Sequence, residues 1–76
     1  MSENKISMLK WVSGGPNGVI RKIMIGPPEA EEYMVNVSLF VENLNERDKL
    51  HTASADGDTI EMAFQSAYNE LIGWLA

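Results

Sequence analysis

The chain has 76 residues, six Lys and Arg against eleven Asp and Glu, one His, no Cys and a formal charge of −5. A chain of this length forms one domain that buries roughly 60–65% of its unfolded surface, which excludes a two-domain enzyme with an interdomain cleft. The lack of Cys excludes disulfide frameworks, thiolate zinc sites and thiol nucleophiles, while 45% hydrophobic and 22% charged residues describe a folded soluble protein and not a disordered one.

Residues 1–5 are polar and read as frayed. Ile6–Val12 is a short apolar segment that reads as a first strand, with Ser7, Leu9 and Trp11 on one face and Met8, Lys10 and Val12 on the other. The turn formers of Ser13–Gly18 reverse the chain. Val19–Ile25, rich in β-branched residues, is then a second strand and the hairpin partner of the first, with Val19, Arg21, Ile23 and Ile25 sharing a face. Pro27 and Pro28 end it, because neither can donate to a ladder, and Glu29, Glu31 and Glu32 follow in an exposed acidic loop.

Tyr33–Glu42 is the clearest strand: Tyr33, Val35, Val37, Leu39 and Val41 make one wholly apolar face, and Met34, Asn36, Ser38, Phe40 and Glu42 a mixed one. After the polar connection Asn43–Asp48, Lys49–Ala55 reads as a fourth strand at an edge. Asp56-Gly57-Asp58 breaks the chain. From Thr59 to Leu75 the period is helical, with Ile60, Ala63, Phe64, Ala67, Leu71, Trp74 and Leu75 on one stripe and Asp58 with Glu61 as an Asp form of the capping box. The expected fold is α+β, an antiparallel sheet of three to four strands with one C-terminal helix packed on a face. The mixed sheet face then needs either water or a partner, and a homodimer would cover it.

No segment carries a recognisable catalytic pattern. In Gly14–Gly18 a phosphate cradle would need successive amides before a helix, whereas Pro16 removes one amide and a strand follows. Asp56, Asp58 and Glu61 crowd three carboxylates without the spacing of a calcium loop, and a turn with a helix cap accounts for them. His51, Ser54 and Asp56 contain the residue types of a hydrolytic triad, but on one strand His51 and Ser54 point to opposite faces. The expectation is a non-enzyme without metal or cofactor.

Charge is unevenly distributed. Residues 1–27 carry a net +3 and residues 28–76 a net −8. The basic part offers Lys10, Arg21 and Lys22, with Trp11 to stack on a base, as a nucleic-acid surface. The acidic part, through Glu29, Glu31, Glu32, Glu42, Glu46 and Asp48 with Phe40, either serves solubility, as net charge does in many small domains, or offers a surface for a protein partner with a basic groove. Met8, Met24, Met34 and Met62, with Phe40, Tyr68 and Trp11, exceed what one small core needs and suit either core filling or adaptable binding.

From Tyr33 onward, the order of long strand, polar turn, short strand, Gly-containing turn and Ala-rich helix (Ala63, Ala67, Leu71) resembles the C-terminal half of double-stranded-RNA-binding domains. That family has a lysine cluster at the start of its last helix, where this chain has Asp58, Thr59 and Glu61, and an N-terminal helix where this chain reads as strands. The resemblance therefore implies architecture and transfers RNA binding to no residue. In size, absence of Cys and α+β pattern the chain also looks like the small acidic accessory and inhibitor proteins of bacteriophages. With no basic n-region and apolar stretch at Met1–Ile6, and no apolar run long enough for a membrane span, the expected place is the cytoplasm of a cell or an infected host. The expected function is stoichiometric protein binding, as an inhibitor or adaptor; nucleic-acid binding by the basic N-terminal hairpin is the alternative.

Overall fold

The computed structural model describes residues 6–45 and 49–75. Five elements follow in order: α1 (Met8–Ser13), β1 (Val19–Gly26), β2 (Val35–Asn43), β3 (Lys49–Gly57) and α2 (Ile60–Leu75). The strands form one antiparallel meander in the order β1-β2-β3, and α2 packs across one face. The fold is α+β, as expected. No helix among the described residues is long and apolar enough to cross a membrane.

The N-terminal segment departs from the expectation. Ile6–Val12 is not a strand: Ser7 is extended (φ −78°, ψ 153°), and its Oγ accepts the Lys10 N–H at 3.1 Å, capping α1. Met8 and Trp11, three residues apart, then share a helical face against the core. A short N-terminal helix therefore stands where a strand was expected. As a consequence, β1 pairs with β2, from Val19 opposite Asn43 to Gly26 opposite Asn36, and not with the N-terminal segment. The Gly-rich turn joins helix to strand instead of closing a hairpin. Gly18 adopts φ +85°, a region that favours glycine. Its carbonyl accepts the Leu44 N–H, and Asn45 lies directly over its Cα.

β2 begins at Val35, two residues later than expected, because the Tyr33 N–H is used in a turn to the Ala30 carbonyl. β3 is the third strand and an edge, and it runs on through Asp56 to Gly57. Helix α2 is capped by Thr59 rather than Asp58: the Thr59 Oγ1 accepts the Met62 N–H at 3.1 Å. Gly57 lies against the first turn of α2, where a Cβ would sit 2.6 Å from the Ala63 nitrogen.

The core lies between α2 and the inward-facing strand residues. Val37, Leu39 and Ala53 meet Ala63, Phe64, Ala67 and Leu71, with Ile23, Val35, Val41 and Ala55 packed around them. The two alanines of α2 allow close approach to the sheet. Trp11 packs with its ring edge-on to Phe64, centroids 6.2 Å apart, and Tyr68 stacks on Phe64 at 6.0 Å. Ile60, expected on the inner stripe, is exposed. Trp74 and Leu75 were expected there too, but their side chains lie outside the described residues.

Candidate partner-binding face of the sheet

Strand pleating sends alternate residues to the side opposite α2, where no element among the described residues covers them. The cross-strand rows on that side are Ile20–Glu42–Leu50, Lys22–Phe40–Thr52, Met24–Ser38–Ser54 and Gly26–Asn36–Asp56. The first two rows and Met24 make the more apolar half, in which Ile20, Met24, Phe40 and Leu50 stand with Lys22, Glu42 and Thr52. A hollow of about 180 Å³ is lined there by Ile20, Lys22, Phe40, Glu42 and Leu50. Met24 (61% exposed) and Leu50 (58%) stand out into solvent, Phe40 is half-buried and Glu42 is exposed.

The other half is polar and internally satisfied. Asn36 is 8% exposed, and its Oδ1 accepts from the Ser38 hydroxyl at 3.2 Å and the Ser54 hydroxyl at 3.1 Å. Its Nδ2 donates to Asp56 Oδ1 at 3.0 Å. The Asp56 carboxylate also accepts the Glu29 N–H (3.0 and 3.1 Å to its two oxygens) and the Ala30 N–H (2.9 Å). The Glu29 N–H, then the Asn36 amide, hold this carboxyl below its usual range; partial burial opposes them and the Ala30 N–H adds to them. Asp56 thus clamps the base of the loop from which Glu29, Glu31 and Glu32 project, all three exposed.

The candidate acidic surface is therefore divided. Phe40 and Glu42 share the apolar hollow, whereas Glu29, Glu31 and Glu32 lie at the opposite end of the sheet. Six residue steps along β2 separate Glu42 from Asn36, about 20 Å. Glu46 and Asp48, also expected in this surface, lie outside the described residues.

The alternative nucleic-acid residues do not share a surface. Lys10 is exposed on α1, but Trp11 is 3% exposed and its ring is a core contact, so it cannot stack on a base. Arg21 lies over that ring at 5.4 Å and donates from Nη1 to the Trp11 carbonyl at 2.9 Å, a cation placed at the C-terminal end of α1. Lys22 is on the other side of the sheet. Sequence reasoning gave Arg21 no structural role, although its place in the Val19, Ile23 and Ile25 alternation already set it on the helix side.

Among the described residues, no three His, Asp or Glu side chains come together as a metal site. His51 lies on the α2 side of the sheet, opposite Val41, while Ser54 and Asp56 lie on the uncovered side. A larger hollow of about 560 Å³ lies between the start of α1 and the first turns of α2, lined by residues including Ile6, Met8, Met62 and Phe64. No sequence pattern marks it, because its walls come from residues 6–8 and 61–65, far apart in the chain. No family model, curated protein or solved structure matches this chain.

Proposed function

We propose that this chain is a non-catalytic protein-binding module that acts stoichiometrically, as an inhibitor or adaptor, by occupying a partner's surface. The observation that carries this reading is the uncovered sheet face. α2 already supplies a core for one side, yet the other side exposes Met24 and Leu50 at a hollow lined in part by Phe40. Apolar side chains grouped on one face of a small domain mark interaction surfaces. The acidic loop at the far end, clamped by Asp56, suits a partner with a basic surface. Nucleic acid is not proposed as the ligand: its aromatic candidate is in the core, and the first turn of α2 carries Glu61 where phosphate binding would want a cation.

Photo-crosslinking tests the reading. Benzoylphenylalanine is placed at position 31 in the loop, at position 40 on the open face, and at position 66 on the exposed side of α2. Adducts with another protein from 31 or 40, weakened by salt, are the expected result. Adducts from 66 alone, or adducts abolished by nuclease, would overturn the proposal.

A further inference from the structure

We infer that the apolar half of the uncovered face is covered by a second copy of this chain, across a two-fold axis that sets each Lys22 against the other copy's Glu42. The inference rests on reading this face as a protein interface, and it names the occupant of one half.

This half of the face is self-complementary in charge. Lys22 and Glu42 are diagonal neighbours across β1 and β2, at either side of the Phe40 hollow. Neither has an ion-pair partner among the described residues. A two-fold axis in the plane of the interface, midway between them and perpendicular to the line joining them, exchanges the two positions. Both Lys–Glu contacts then form at once, as an isologous interface requires.

Strand spacing of about 4.8 Å, with about 6.8 Å between successive residues on one face, fixes what else this axis does. It carries Leu50 over the other copy's Met24, and it brings the two Phe40 rings side by side over the hollow. The strands cross at roughly 70°, near the orthogonal mode of sheet packing. The Asp56 end falls beyond the edge of the other sheet, so the acidic loops stay free and far apart. An axis along β2 would instead set Glu42 against Glu42, a like-charge contact that disfavours it.

The overlapping region removes roughly 500 Å² from each copy, about 1,000 Å² in total, at the low end of specific interfaces. A weak dimer with Kd in the micromolar range is therefore expected. It would present two acidic loops to a basic partner, a bivalent arrangement.

Sedimentation equilibrium on the full chain, from about 1 µM to about 500 µM, tests the inference. The expected result is a mass rising from one chain to two. Lys22→Glu and Glu42→Lys should each raise Kd at least tenfold, and the combined K22E/E42K chain should return to within about threefold of the parent, because opposite signs again meet. Leu50→Glu, at an exposed position, should also raise Kd at least tenfold, with circular dichroism showing the fold intact. A monomer at every concentration would overturn the inference and leave the crosslinking at position 31 to decide the broader reading. A dimer insensitive to these substitutions, or one not restored in the double variant, would overturn this interface.

Discussion

Removing the Trp11 ring separates a core residue from a ligand-stacking one. Trp11 is 3% exposed, touches Phe64 edge-on at 6.2 Å between centroids and carries Arg21 over its face. Truncating a buried aromatic of this size costs about 3–5 kcal/mol. A 76-residue domain has about 4–11 kcal/mol of stability in all, so Trp11→Ala should remove a quarter or more of it. Trp11→Phe keeps an aromatic against Phe64 and should cost about 1–2 kcal/mol. A six-residue helix does not persist by itself, so the loss should appear first as release of α1. Urea unfolding followed by circular dichroism gives the free energies, and amide exchange at Lys10 and Trp11 reports α1, because those N–H groups donate to Ser7. A loss below about 1 kcal/mol for Trp11→Ala, with α1 amides exchanging as before, would refute the placement of this ring in the core.

Three further outcomes follow from the same geometry. The folded-state pKa of Asp56 is depressed, chiefly by the Glu29 N–H, so its contribution is present above the ordinary carboxylate value of about 3.9 and is lost as pH falls through the lowered one. The Glu29 and Ala30 amide resonances should therefore titrate below the range of a free Asp, and the transition should vanish in Asp56→Asn; a midpoint at or above that range would contradict the clamp. Thr59→Ala should destabilise by about 1 kcal/mol through loss of the cap, with Asp58→Ala costing much less; thermal unfolding of the two variants ranks them. Gly57→Ala should cost about 1–3 kcal/mol, because the new methyl meets the Ala63 backbone. Gly26→Ala, with open space around its Cα, should stay within about 0.5 kcal/mol, and equal losses at the two glycines would remove the argument for close packing at Gly57.

The strand alternation from Val35 to Glu42 and the stripe Ala63, Phe64, Ala67, Leu71 were legible in the sequence, because each follows one period over several turns or pleats and one face is wholly apolar. Ile6–Val12 was not, because seven residues fit both periods. The choice there is made by the Ser7 cap and by the contact of Trp11 with Phe64, fifty-three positions away. Once that segment is helical, β1 loses its local partner and pairs across the Pro27–Met34 loop instead. The helix cap moved by one residue because β3 extends to Gly57, leaving Thr59 and not Asp58 where the Met62 N–H points. The uncovered face was legible as a mixed set of residues. Its division into an apolar half and a satisfied polar half was not, since the Asp56 contacts join residues 26 and 27 positions apart. Charge counting likewise put Glu42 with the loop acids, and only the register sets them at opposite ends.

That division bears on which part of the face a partner can use. At the polar end, Asn36, Ser38, Ser54 and Asp56 spend their groups on one another and on the loop amides, so an incoming chain finds few free donors and would have to break a satisfied network to gain new ones. At the apolar end, Leu50 and Met24 gain by leaving water, and Lys22 and Glu42 have no described partner to lose. Burial therefore favours the Phe40 end, and long-range attraction favours Glu29, Glu31 and Glu32 on a loop whose base is already fixed. A partner that engages both must span about 20 Å; one that engages the loop alone should bind with affinity that falls steeply as salt rises, and one that engages the hollow, where Lys22 and Glu42 stand among apolar side chains, should weaken less steeply. The salt dependence of adducts from position 31 against those from position 40 separates the two modes of binding within one experiment.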